Sequence, residues 1–394
     1  MNALRRRTIA CLAALGFGLI GCAAAWAAMS PRQRQAILEA DPMVFFVAKG
    51  EPNVCGSGCS EWIAADGNID RNAHVRLQRL LDSLDERDRP IYFNSGGGLL
   101  NAAVGMGRIL RDRNMTAGVA RTVPDICSAG IDYNCRRWIR SQPEQKARLS
   151  VAGSQCNSAC IYALIGASAR RVAVEARLGI HDALSLQELS LEQAARNRYA
   201  LRRATRRYVV EMGVHAGLVD AAARTGHDLI RTLNRAEVAS FGILTRARYE
   251  TDWLADKDPW GRPLVVKSVT QPVGVQGIDF RTSVIRASCR FDGRILLTYQ
   301  RRTHRSEHGV LVAVRLGSGD SGVVLRESVG TDVIWASQTF TVADLLQKAN
   351  AASDLTITET FSPSEASAWS REVKLSMSGL AEVLDGWKTS CMKS

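Results

Sequence analysis

The chain has 394 residues, of which 46% are hydrophobic, 23% charged and 6% aromatic, with only 10 prolines. This composition excludes a disordered or collagen-like protein, and the length exceeds a single domain of ~150 residues. A net charge of +12 and ten cysteines are the unusual numbers, and both change once the N-terminus is set aside.

Residues 1–28 read as an export signal. Arg5, Arg6 and Arg7 precede an apolar run from Ile9 to Ile20, and small residues follow from Gly21 to Ala28. Positive, apolar and small segments in that order are the pattern of a secretory leader. Two ends are open. Ala25-Trp26-Ala27 suits ordinary cleavage, and Leu19-Ile20-Gly21-Cys22 resembles a bacterial lipobox that would leave Cys22 lipidated. An exported, periplasmic or lipid-anchored protein is therefore expected, with no later segment apolar enough to span a bilayer.

Without residues 1–28 the charge falls by three arginines to +9, and the segment from Thr251 onward, with 17 basic and 16 acidic residues, carries only +1 of it. The remaining +8 lies in residues 29–250. One run, Arg196, Arg198, Arg202, Arg203, Arg206 and Arg207, has no acidic residue between Ala194 and Val210. It reads as a solvated helix face, or alternatively as a contact for a polyanion or lipid headgroups. No zinc-finger or RNA-binding signature accompanies it, so no nucleic-acid partner is expected. Eight cysteines remain after Cys11 and Cys22 are removed: Cys55, Cys59, Cys127, Cys135, Cys156, Cys160, Cys289 and Cys391. An even number in an exported chain suggests disulfides. The sequence-local pairing is 55–59, 127–135, 156–160 and 289–391, one of 105 connectivities. Cys-x3-Cys spacing without a nearby histidine argues against zinc, so no metal is expected.

In chain order, residues 29–50 form a linker that ends in a short strand at Met43–Val47. A second strand covers Trp62–Ile69, turning at Asp66-Gly67, and a helix with apolar spacing covers Asn72–Leu84. Pro90–Phe93 is a buried strand, followed by Asn94-Ser95-Gly96-Gly97-Gly98 and at once by a helix from Leu99. A strand is expected at Thr116–Arg121, an inserted loop at 122–148, and a strand at Leu149–Ala152. A helix starts at Ser158. Short strands at Arg171–Val174 and Arg177–Ile180 lead to His181, and helical patterns fill 186–240. Alternating strands and helices over 51–250 indicate an α/β domain. Residues 251–394 read as a smaller β-rich α+β domain. Its strands are expected at Val265–Thr270, Ser283–Cys289, Ile295–Tyr299, Val310–Leu316, Val323–Glu327 and Leu355–Glu359, and its helices at Val342–Ala349 and Leu380–Trp387.

Three features together carry chemistry. Glycines at a strand-to-helix turn allow positive φ and present amides to a ligand. Ser158 stands at a helix start and His181 ends a strand. Singly these are a tight turn, a helix cap and a structural histidine; jointly they supply oxyanion donors, nucleophile and base, the minimum for acyl transfer.

These segments resemble the proteolytic subunit of the Clp protease, in the crotonase-like superfamily, over roughly residues 40–248. Phe93-Asn94-Ser95-Gly96-Gly97-Gly98 is similar to its Asn-Ser-Pro-Gly-Gly turn, with Gly96 in place of proline. Cys156-Asn157-Ser158-Ala159-Cys160 stands where that family has its nucleophile, and Gly179-Ile180-His181 where it has its histidine. Glu237, Phe241 and Gly242 resemble the turn that closes the domain. The resemblance implies a spiral ββα fold and a serine peptidase with Ser158 as nucleophile and His181 as base. The amides of Gly98 and Ala159 would form the oxyanion hole. Counting back from Glu237 puts Ile230 at the triad acid. Asp228 is the nearest substitute, with Asp220 and Asp182 behind it. The resemblance further implies a peptide or protein substrate and a homo-oligomer, with no cofactor; the chain has no ATPase module, and ATP is not expected outside the cytoplasm. A 156–160 bridge would stiffen the nucleophile turn, and the 122–148 loop would sit near the site as a lid. No lysine lies between Lys146 and Lys257, which excludes a local Ser–Lys dyad, and acyl-CoA chemistry does not suit an exported chain. The tail, from Cys289-Arg290 to Gly379-Leu380 and Cys391, loosely resembles modules of other secreted bacterial proteins and would bind an envelope partner. The rival reading is a non-catalytic Clp-like scaffold that binds peptides.

Overall fold

The computed structural model describes residues 35 and 40–391, except 57, 86–87, 128–130, 142–143, 184, 186–188, 246–247, 274–278, 303–309, 317–323, 326–332 and 362–367. The expected leader and Cys22 lie outside the described residues. Among the described residues no helix is long and apolar enough to cross a membrane.

The protein is a mixed α/β structure with two main hydrophobic cores, as expected of the fold class. Its first part begins with β1 (Val44–Lys49), β2 (Glu61–Asp66), α1 (Ala73–Ser83), β3 (Ile91–Asn94), α2 (Leu100–Asp112), β4 (Thr116–Val119) and β5 (Arg121–Pro124). There follow α3 (Tyr133–Ser141), β6 (Glu144–Ser150), β7 (Gln155–Asn157), α4 (Ala159–Leu164), β8 (Ala169–Arg171) and β9 (Arg177–Ile180). It ends with α5 (Leu191–Glu211), α6 (Gly217–Ala223), β10 (Arg231–Thr232) and α7 (Arg235–Ser240). Seven strands form one sheet in the order β5-β6-β1-β2-β3-β4-β8, parallel from β2 through β8. A second layer is the three-stranded sheet β10-β9-β7.

Period-two burial explains β3, where Ile91 and Phe93 are buried and Tyr92 and Asn94 are only partly covered. Helical spacing explains α2, whose Ala102, Ala103, Met106 and Leu110 face the core. The core of this part also contains a pair of cations. Arg111 donates to the carbonyls of Gly166, Ala167 and Met212, and Arg170 to those of Ile243, Gly242, Ala167 and Met212. Burial, with Arg111 alongside, pulls the Arg170 guanidinium down to about 9.

Two expectations need correction here. The segment 122–148 is not an inserted loop or lid: β5 and β6 pair antiparallel at the sheet edge, β6 also pairs with β1, and α3 lies between them. Cys127, Cys135, Ile139 and Ala147 join Phe46 and Trp62 in a small satellite core. The arginine run is a partly exposed helix face, but not a free polyanion site, because its guanidiniums are already paired. On α5, Arg202 and Arg198 hold Asp182, Arg203 and Arg207 hold Asp256, Arg206 holds Asp220, and Arg196 holds Glu192. Asp256 is the only one of these acids whose side chain is nearly inaccessible, at 2% exposure.

The tail contains β11 (Tyr249–Glu250), β12 (Leu254–Lys257), β13 (Pro263–Val273), β14 (Asp279–Cys289), β15 (Ile295–Arg302), β16 (Leu311–Leu316) and β17 (Val324–Leu325). It continues with β18 (Val333–Phe340), α8 (Val342–Ala351), β19 (Asp354–Phe361), β20 (Trp369–Ser376), α9 (Leu380–Asp385) and α10 (Trp387–Ser390). β18 and β20 were not anticipated from the sequence. One antiparallel sheet runs β11-β13-β14-β15-β18, with β12 on β13, and the other runs β17-β16-β19-β20. Ile285, Leu297 and Ile334 from the first and Val314, Ile357 and Leu375 from the second share one core with Leu345 and Leu380. A fully buried Glu359 accepts bidentate hydrogen bonds from Arg301 (2.7 and 2.8 Å) and another from Tyr299 (2.7 Å). The tail packs on α5 through Val210, Ala216, Val266 and Val284, and through hydrogen bonds from Ser268 to the Val210 carbonyl and from Arg286 to Glu211.

All four cysteine pairs of the sequence-local pairing stand at disulfide distance, with Cα separations of 5.1, 5.7, 5.1 and 5.6 Å for 55–59, 127–135, 156–160 and 289–391.

Candidate functional site

After β3 the chain runs alongside β7. The Ser95 amide donates to the Gln155 carbonyl (2.8 Å) and the Asn157 amide to the Ser95 carbonyl (3.0 Å). Gly97 and Gly98 then adopt φ of +118° and +135°. Both positions are also too tight for a side chain. A Cβ on Gly97 would lie 2.7 Å from Ser158 Cβ, and one on Gly98 would lie 2.3 Å from the Ile69 carbonyl oxygen. The turn is stapled to that residue by Ile69 N–H to Gly97 O and Leu99 N–H to Ile69 O, each 2.7 Å. Gly96 has open space instead.

Ser158 sits between β7 and α4 at φ +54°, ψ −124°. For a residue with a Cβ this backbone costs about 1–3 kcal/mol and persists only where its surroundings enforce it. Here the Ser158 amide donates to the Gly179 carbonyl (2.7 Å), β7 pairs parallel with β9, and Cys156–Cys160 closes a bridge across the turn. A sharp strand-to-helix turn of this type lifts a serine hydroxyl out of the backbone into reach of other groups.

His181 follows β9 directly. Its Nε2 lies 2.5 Å from Ser158 Oγ. Burial pulls the imidazole below its ordinary value, opposed only in part by the neighbouring carbonyl of His227 and the charge of Asp182. A neutral ring with its proton on Nδ1 leaves Nε2 free to accept the serine proton. Nδ1 itself is buried and without a hydrogen-bond partner among the described residues.

The expected third member is therefore not in place. Asp228 is exposed in the turn after α6, and no carboxylate among the described residues reaches Nδ1. Asp220 is taken by Arg206, and Asp182 by Arg202 (2.8 Å) and Arg198 (4.0 Å). The antiparallel pairing of Arg231 with Ile180 brings Ile230 alongside β9, where its side chain is half exposed and packs against Gly179. The backbone amides of Gly98 and Ala159 donate no hydrogen bond among the described residues. Sequence reasoning missed the strained Ser158 conformation. Its only trace there was a non-glycine residue at the sharpest point of a strand-to-helix turn. No cluster of three metal-ligating residues occurs among the described residues.

No family profile and no curated protein matches the chain. Among solved structures it is similar to a variant of ClpP1 from Listeria monocytogenes, at 15% identity and a TM-score of 0.31, over 50% of this chain and 88% of that one. It is also similar to a membrane-bound stomatin-specific protease, at 14% identity and a TM-score of 0.30, over 46% and 75% of the two chains. A third similar structure is invasion associated protein B from Bartonella henselae, at 11% identity and a TM-score of 0.25, over 34% of this chain and 90% of that one.

Proposed function

We propose that the protein is an exported serine hydrolase, a peptidase that works through an acyl-enzyme without ATP. The observation that carries this reading is the 2.5 Å approach of Ser158 Oγ to His181 Nε2 at a strained strand-to-helix turn. His181 removes the hydroxyl proton as Ser158 attacks the carbonyl carbon of a peptide or ester. The amides of Gly98 and Ala159 receive the developing oxyanion, and the imidazolium then protonates the leaving group. Water, deprotonated by the same ring, releases the acyl group. Export is supported by the leader pattern of residues 1–28 and by four cysteine pairs at bonding distance. Fluorophosphonate labelling of the disulfide-intact protein tests the reading. Labelling should disappear in Ser158→Ala and His181→Ala, and an unlabelled wild type counts against catalysis.

The unpartnered Nδ1 of His181 favours a second reading, a peptide-binding scaffold with a vestigial site. Without a carboxylate the imidazole is less well oriented and its cation less stabilised. Turnover abolished by both substitutions would eliminate the scaffold reading.

A further inference from the structure

One end of the tail's larger sheet presents two aromatic side chains to solvent. Trp260 is 71% exposed and Phe291 69%. Trp260 lies in the turn between β12 and β13, and Phe291 in the turn between β14 and β15. The register Leu264–Ser288–Leu296 puts both turns at the same end of the sheet. The rings meet edge to face, with centroids 6.5 Å apart, and the Arg262 guanidinium stacks on both at 4.9 and 4.0 Å.

This arrangement is held in advance. Asp258 accepts hydrogen bonds from the amides of Trp260 and Arg262 (2.9 Å each) and from Arg262 Nε (2.6 Å). Asp292 likewise accepts from Arg290 Nε (3.3 Å) and the Arg294 amide (3.1 Å). The nearby Asp256 is occupied by Arg203 and Arg207. The carboxylates around the aromatics are thus already used within the protein. What remains is apolar area and two exposed cations, Lys257 and Arg294, with no salt-bridge partner among the described residues. A glycan or a folded partner needs directional polar groups, and these turns have few left. An anionic bilayer needs only aromatic rings at the depth of its headgroups and positive charge beside them.

We propose that the Trp260 and Phe291 turns dock the tail on an anionic membrane surface, both rings entering the interfacial layer while Lys257 and Arg294 face lipid phosphates. A cleft of about 310 Å³ beside Trp260, floored by Trp387, gives room for a headgroup. The proposal is independent of whether Ser158 is catalytic.

The test is co-sedimentation of the chain without the expected leader, residues 1–28, with vesicles of phosphatidylglycerol and phosphatidylcholine, compared with phosphatidylcholine alone. Removing the leader keeps its arginines and apolar run from binding the vesicles themselves. Binding should favour the anionic vesicles and weaken as salt rises. It should fall at least about tenfold in Trp260→Ala/Phe291→Ala, and also in Lys257→Glu/Arg294→Glu, with unfolding unchanged. Equal binding by wild type and both double variants would overturn the proposal. So would equal binding to neutral vesicles, or retention by a polysaccharide or envelope protein without vesicle binding.

Discussion

Replacing Cys156 and Cys160 together with alanine separates two things the bridge does. Its sequence separation of four closes a ring of about five residues, for which chain entropy gives a stability loss of about 2 kcal/mol. Both residues are fully buried, so the small voids left behind add about 1 kcal/mol. The local effect is different. Ser158 holds about 1–3 kcal/mol of backbone strain, and without the bridge its hydrogen bond to Gly179, the pairing of β7 with β9 and the packing of Gly97 would remain to enforce it. If the turn relaxes by that amount, the competent population falls about 5- to 150-fold. The assay is the rate of fluorophosphonate labelling beside a denaturant unfolding curve. The control is the Cys127→Ala/Cys135→Ala variant, whose bridge lies in the satellite core of the sheet edge. That variant should lose stability and label at the wild-type rate. An unchanged labelling rate in the 156/160 variant, or an equal fall in the control, would refute the idea that the bridge enforces the serine conformation.

Labelling should also depend on pH through His181. Burial lowers its folded-state value, so the acid limb should have a midpoint below the ordinary value of about 6.5; a midpoint above that would contradict a buried neutral base. The same shift makes the unfolded chain bind more protons in that window, so His181 should lower stability as the pH falls below about 6.5. Gly98→Ala should destabilise by at least about 2 kcal/mol, because a positive φ and a clash with the Ile69 backbone coincide. Gly96→Ala, in open space, should change stability by under about 0.5 kcal/mol; similar unfolding midpoints for the two would show that the turn is looser than described. In the tail, Glu359→Ala removes the carboxylate that accepts both hydrogen bonds from the buried Arg301 and should cost about 3–5 kcal/mol. A loss below about 1 kcal/mol in chemical denaturation would mean that water reaches that network.

Where local signals agree, the fold could be read directly. The glycine turn, Ser158 and His181 were found in order because strand, glycine turn and helix follow one another without interruption. Their contact was not visible, because it depends on the pairing of β7 with β9, a tertiary event. Most of β6 reads as loop because Glu144, Lys146 and Arg148 alternate with Gln145 and Ala147, a strand held between β5 and β1 whose buried face is short and partly polar. β20 is hidden in the same way by Arg371, Glu372 and Lys374 around Val373 and Leu375. The arginines of α5 looked unpaired because two of them find their carboxylate some fifty residues downstream, at Asp256. The triad acid failed for a related reason. Several aspartates lie near His181 in sequence or space, but arginines hold Asp182 and Asp220 and solvent surrounds Asp228.

α5 has a consequence for how the protein can be divided. Arg202 and Arg203 are neighbours in sequence but point about 100° apart around the helix, which gives one residue to the loop after His181 and the other to the tail. A chain cut near residue 250, where composition changes, would leave Val210 and Ala216 uncovered and two guanidiniums without their buried acid. The compositional seam and the mechanical seam are therefore different places. Separating the tail would disturb the same helix whose other edge holds Asp182 beside His181, so the tail is part of the scaffold of the Ser158–His181 half rather than cargo attached to it.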